Sequence, residues 1–161
     1  MMIDTDFFAL FRNVFFWAAF ISWCVAQFTK LLCGVYRTRR IDFKYMVSTG
    51  GMPSAHSALV SGLATAVGLL KGFDSAVFVV ALGLAFITMF DAATVRRAAG
   101  VQARLLNDMV DELFHAHHFS QRKLKELLGH TRLEVFMGFV VGILTSMIVV
   151  CFGEWLEQGG T

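Results

Sequence analysis

The stretch VFMGFVVGILTSMIVVCFG (135–153) stands between Glu134 and Glu154 without a formal charge. At about 1.5 Å per residue, a helix of this length reaches across most of the roughly 30 Å hydrocarbon core of a bilayer. Working outward from it, three more apolar runs appear. Nothing is charged between Arg12 and Lys30, where Phe, Trp, Ala and Ile dominate. Between Lys44 and Lys71 charge is again absent, and the part from about Ala55 to Leu70 is continuously apolar. A further run lies between Asp74 and Asp91. Gly62, Ala64, Ala66, Gly68, Gly83, Ala85, Gly138 and Gly142 punctuate these runs, as expected where membrane helices pack closely.

The whole chain agrees with that reading. Its 161 residues fit one domain, 1–161, with no internal repeat or low-complexity tract. Hydrophobic residues make up 57% and charged residues only 16%, too few to cover a soluble domain and too apolar for disorder. A net charge of +2 supplies no phosphate-binding face for nucleic acid, so no nucleic-acid partner is expected. The expected fold is all-α: an integral membrane helical bundle of about four transmembrane helices plus an amphipathic surface segment. That segment falls between about Arg96 and Gly129, where Val101, Leu105, Met109 and Leu113 recur every fourth residue, with Leu106, Val110 and Phe114 one step on. It is expected to lie on the membrane surface or to cap the bundle.

Lys and Arg concentrate in two loops, with Arg37, Arg39, Arg40 and Lys44 in one, and Arg96, Arg97, Arg104, Arg122, Lys123 and Lys125 in the other. The positive-inside rule then places both loops in the cytoplasm and both termini outside. Asp4 and Asp6 precede the first run, with neither a basic leader nor a small-residue cleavage site, so that run reads as a retained span. Cys24, Cys33 and Cys151 match no zinc spacing and read as free thiols.

Four groups of residues can carry chemistry. Gly50-Gly51-Met52-Pro53-Ser54-Ala55-His56-Ser57 combines backbone freedom with a proline that starts a helix, where free N–H groups bind anions. Ser54 can add a hydroxyl and His56 an imidazole; the plainer alternative is a Gly-Pro loop with a capping serine and a packed histidine. His130 and Glu134, four apart, share a face if helical, and the carboxylate can then fix the imidazole as base or nucleophile. An ordinary polar helix start would look the same. Asp91 with Arg96 and Arg97 ends the third run, and arginine is the preferred bidentate phosphate partner, although a positive-inside anchor would also place it there. Lys30 closes the first run and Arg37 follows seven residues later, where snorkelling is the alternative. In a four-span topology all four groups face one side of the membrane, a combination that favours a phosphate site.

These residues resemble the divergent branch of the type-2 phosphatidic acid phosphatase superfamily, often labelled acid phosphatase/vanadium-dependent haloperoxidase-related. The parent motifs are Lys-x6-Arg-Pro, Pro-Ser-Gly-His and Ser-Arg-x5-His-x3-Asp. Here Lys30 and Arg37 reproduce the first, with Thr38 for proline; Pro53-Ser54-Ala55-His56 matches the second, with Ala55 for glycine; His130 and Glu134 match the end of the third, with Glu for Asp. Val95-Arg96-Arg97 after Asp91, Gly100-x-Gln102-Ala103, Leu106-Asn107 and Leu128-Gly129-His130-Thr131 are similar to the divergent branch. The resemblance covers about residues 27–142. It implies a phosphomonoesterase without metal or other cofactor, acting on a lipid phosphate such as phosphatidate or a polyprenyl phosphate. His130 would be the nucleophile, Glu134 its orienting partner and His56 the general acid, with Lys30, Arg37 and Ser54 binding phosphate. One departure stands out: Lys123 and Leu124 occupy the Ser-Arg positions of the third motif, and Arg96 or Arg97 is the expected substitute.

The expected partners are the lipid bilayer and a lipid-phosphate substrate, and a homodimer is compatible with so thin a bundle. The expected location is a bacterial inner membrane with the site on its cytoplasmic side. The rival expectation is a non-catalytic lipid-phosphate binder or translocator that keeps the anion site; a purely structural membrane subunit would leave the histidines and Glu134 unexplained. His115, His117 and His118 could bind a metal, but without a matched Cys or carboxylate framework they read as a solvated loop.

Overall fold

A computed structural model describes residues 7–39, 51–114 and 130–159. Among the described residues, a 3-10 turn at Phe7–Arg12 is followed by five helices: α1 (Val14–Thr38), α2 (Ala55–Lys71), α3 (Ala76–Ala93), α4 (Val95–Phe114) and α5 (Arg132–Gly159). No strand occurs among the described residues. Each apolar helix begins on a polar cap that takes up backbone N–H groups otherwise left unpaired. Asn13 Oδ1 accepts from the N–H of Phe15 at 2.9 Å at the start of α1. Ser54 caps α2, and Ser75 caps α3 by accepting from the Phe78 N–H at 3.2 Å. Gly72, at φ 89°, ends α2 and lets the chain reverse into α3. Between α3 and α4 the break falls at Thr94, whose hydroxyl donates back to the Phe90 carbonyl at 2.6 Å.

The bundle is organised around α2, which packs against α1, α3 and α5. Its seam is built from small residues one helical turn apart: Ala18, Ser22 and Ala26 on α1, Ala58, Gly62 and Ala66 on α2, Gly138, Gly142 and Ser146 on α5, all buried. A Cβ on Gly62 would strike the Ser22 side chain; one on Gly138 would strike the Ser54 carbonyl; one on Gly142 would strike Ser61 Oγ and the Ala58 carbonyl. Such close approach matters in lipid, where no hydrophobic force separates helix–helix from helix–lipid contact and packing with interhelical hydrogen bonds must hold the bundle. Both bonds are present. Ser22 Oγ donates to the carbonyls of Ala18 at 2.7 Å and Gly142 at 3.3 Å. Ser61 Oγ donates to the Phe139 carbonyl at 3.2 Å.

Among the described residues, three helical stretches are long and apolar enough to cross a membrane: Val14–Tyr36, Ala76–Val110 and Arg132–Leu156. The helix Ala55–Lys71 is apolar but shorter, at 17 residues or roughly 25 Å. This is the all-α membrane bundle expected from sequence, with the second of the four runs shortened because its helix starts only after Pro53 and Ser54. Outward-facing Val77, Val80, Phe86, Ile87 and Phe90 on α3 are exposed, the pattern of a lipid-facing helix. One boundary differs from the sequence reading. Lys30 does not close α1; the helix continues two turns to Thr38, and Lys30 lies within the bundle, 4% exposed. The amphipathic segment is helical over 95–114, with Gly100 and Asn107 on its buried side and Val101, Leu105, Leu106 and Met109 exposed. Its continuation and His115, His117 and His118 lie outside the described residues.

Candidate active site

The site is assembled where the C-terminal part of α1 meets the N-termini of α2 and α5. At the start of α5, Thr131 and Glu134 form a reciprocal cap: the Thr131 N–H donates to Glu134 Oε2 at 2.9 Å, and the Glu134 N–H donates to Thr131 Oγ1 at 3.3 Å. The same Oε2 faces His130 Nδ1 at 3.1 Å. His130 therefore precedes the helix instead of sharing a helical face with Glu134, and the cap, which fixes the carboxylate, also fixes the ring. An ionised carboxylate can only accept, so this pairing puts the proton on Nδ1 and leaves the lone pair on Nε2. His130 is 2% exposed and Glu134 19% exposed.

The Gly-Pro segment docks on this unit. The Ser54 N–H donates to the Glu134 carbonyl at 2.9 Å, joining the start of α2 to the first turn of α5. Gly138, one turn farther along α5, leaves room for the Ser54 backbone to approach. Ser54 is fully buried, and its Oγ accepts from the Ser57 N–H at 3.4 Å and from Ser57 Oγ at 3.1 Å. The capping role weighed from sequence is thus the one the serine holds. Gly51 has φ 104°, and a Cβ there would lie 3.4 Å from Lys30 Cγ and 3.5 Å from Cδ, so the lysine stem runs along the loop. Its ammonium feels the charge of Glu134. A buried cation, a buried imidazole and a carboxylate thus meet around the N-terminal ends of two helices, whose N–H groups and dipoles favour an anion.

The structure brings Lys30, Ser54, His130 and Glu134 together from three helices. His56 stands in the first turn of α2, two residues after Ser54, with an exposed side chain. Arg37 is in the last turn of α1, while Arg96 and Arg97 are in the first turn of α4; the side chains of all three lie outside what the structure describes. Thr131 and Ser57 have no role of their own in the sequence reading. The spacing Thr131-x-x-Glu134 is a capping-box signal and could have revealed the first of them. Arg132 was missed too. It borders Ala93, Thr94, Ala98 and Gln102, so the α3–α4 junction, with the first turn of α4, flanks the start of α5.

Residues 11–145 match the family described as the Divergent PAP2 family. Over 138 residues the chain is 43% identical to the uncharacterized membrane protein YuiD of Bacillus subtilis (strain 168), covering 79% of this chain and 87% of that one. No solved structure matches.

Proposed function

The chain belongs to the divergent PAP2 family, and on that premise we propose that it is a membrane phosphatase hydrolysing a lipid phosphate monoester or diphosphate, phosphatidate- or polyprenyl-phosphate-like. The observation that carries this reading is the buried His130 held through Nδ1 by Glu134. In the first half-reaction His130 Nε2 attacks phosphorus, forming a P–N bond as the P–O bond to the lipid breaks. His56 gives its proton to the departing oxygen. Glu134 stabilises the positive charge that develops on the His130 ring. In the second half-reaction His56 takes a proton from water, whose oxygen attacks phosphorus; the P–N bond breaks and phosphate leaves. Lys30, Arg37 and the N–H groups around Ser54 neutralise the phosphoryl oxygens, and Arg96 or Arg97 replaces the guanidinium that the third motif lacks. The basic loops put this chemistry on the cytoplasmic face of an inner membrane.

The test is phosphate release by purified protein in nanodiscs, offered phosphatidate, polyprenyl phosphate and polyprenyl diphosphate. His130→Ala and His56→Ala should each lose at least a hundredfold in rate; activity surviving both removes the mechanism. A second reading, a lipid-phosphate binder or translocator, is favoured by one observation: Lys123 and Leu124 stand where hydrolytic relatives of the superfamily carry Ser-Arg. Lipid-phosphate binding or flipping without phosphate release, retained in His130→Ala, would select it.

A further inference from the structure

Beside the candidate site, two cavities share a wall. The first, about 340 Å³, lies between α3 and α5 and is lined by Phe86, Met89, Val135, Phe136 and Phe139 below Arg132. The second, about 500 Å³, is bordered by Thr94, Ala98 and Gln102 with the same Arg132. Ala93 and Arg132 line both, so the two adjoin as one groove at the start of α5. Its polarity is graded. Hydrocarbon and aromatic side chains line the first cavity, and Phe86 and Phe136 are exposed there, opening it sideways to the bilayer. The second cavity adds the Thr94 hydroxyl and the Gln102 carboxamide to the Arg132 guanidinium, beside Ala98 and Val101.

We infer that this groove between α3 and α5 is the lateral binding track for a phosphate-headed, long-chain lipid, with Arg132 as the residue that holds its head group. An acyl or isoprenoid chain fits the apolar part, while the fork of Arg132 can hold a phosphate through two parallel hydrogen bonds. Arg132 sits one residue from Thr131 and two from Glu134, in the turn that fixes the His130 ring. A head group held there needs to move only around one helix, about 10 Å across, to reach the catalytic pair. Val135, a wall of the groove, directly follows Glu134 in that turn. The track rests on the phosphatase or lipid-phosphate reading of the site, but lipid recognition by Arg132 is separable from hydrolysis.

The experiment uses the full chain in phosphatidylcholine nanodiscs containing a small fraction of phosphatidate with a diazirine in its acyl chain, followed by mapping of the photolabelled peptides. Labels are expected on 86–93 of α3 and 132–139 of α5 in excess over Phe20 and Phe28 on the outer face of α1. Unlabelled phosphatidate should compete them away. Arg132→Leu, at an exposed position, should cut groove labelling at least tenfold, as expected for loss of a bidentate pair of charge-assisted hydrogen bonds. Ala93→Trp, which fills the shared wall, should do the same. Equal groove labelling by diazirine phosphatidylcholine, or an even spread over α1 and α3, would overturn the track. Phosphate release is measured on the same samples: groove labelling without release sinks the catalytic reading alone, and release without groove labelling sinks the track alone.

Discussion

Glu134 does two jobs that one substitution can separate. Its Oε2 accepts from the Thr131 N–H at 2.9 Å and also holds His130 Nδ1 at 3.1 Å. Glu134→Gln keeps an oxygen for the first contact, since glutamine serves at the third position of a capping box as well as glutamate does. The fold should therefore survive, with less than about 1 kcal/mol lost and a melting midpoint within a few degrees of the parent. The second contact survives only in part. The amide oxygen in the place of Oε2 still accepts from both N–H groups, so the ring keeps its proton on Nδ1. What is lost is the negative charge that stabilises the imidazolium. Removing the charge from a carboxylate–histidine pair costs on the order of 10² in rate, or about 3 kcal/mol of barrier. The assay is phosphate release from phosphatidate in nanodiscs, paired with thermal unfolding of the same preparation. Glu134→Ala supplies the contrast: it should lose both activity and about 1 kcal/mol of stability, because the cap is gone. A Gln variant with full activity, or one as unstable as the Ala variant, would refute the division of labour.

Two further outcomes follow from the packing and the charges. Gly142→Val places two methyl groups against Ser61 Oγ and the Ala58 carbonyl, and overpacking of this kind costs about 1–3 kcal/mol; the melting midpoint should fall, whereas the same change at Gly83, with open space around it, should leave it almost unmoved. Lys30→Met keeps the stem beside Gly51 and removes the charge, so inhibition by orthovanadate, a tetrahedral oxyanion, should weaken at least tenfold while the protein remains folded.

Much of this architecture was legible because membrane chemistry writes itself into composition. The charge-free run 135–153 is the body of α5, and the four-residue stripe beginning at Val101 is helical. The limits of α1 were less legible. Lys30 looks like a terminus, since a cation usually marks the end of an apolar span, but here the helix runs on and the side chain is buried, its stem against Gly51. The small-residue seam on α2 and α5 showed in Gly62, Gly138 and Gly142; on α1, Ala18, Ser22 and Ala26 hide among bulky aromatics whose outward direction no single sequence reports. In the site, the distance of four between His130 and Glu134 suggested their pairing for the wrong local reason: the two meet through a helix cap. Arg132 could not be found from sequence, because its neighbours Ala93 and Thr94 are brought to it by the packing of α3 against α5.

The central claim is that His130 carries the phosphoryl group. Phosphatidate labelled with ³²P in its head group, mixed with the protein and quenched within milliseconds under alkaline denaturing conditions that preserve phosphohistidine, tests it directly. The account predicts an acid-labile label mapping to His130, absent from His130→Ala and accumulating in a variant with slowed dephosphorylation. Phosphate release at the parent rate with no label on His130 at any time point would contradict it.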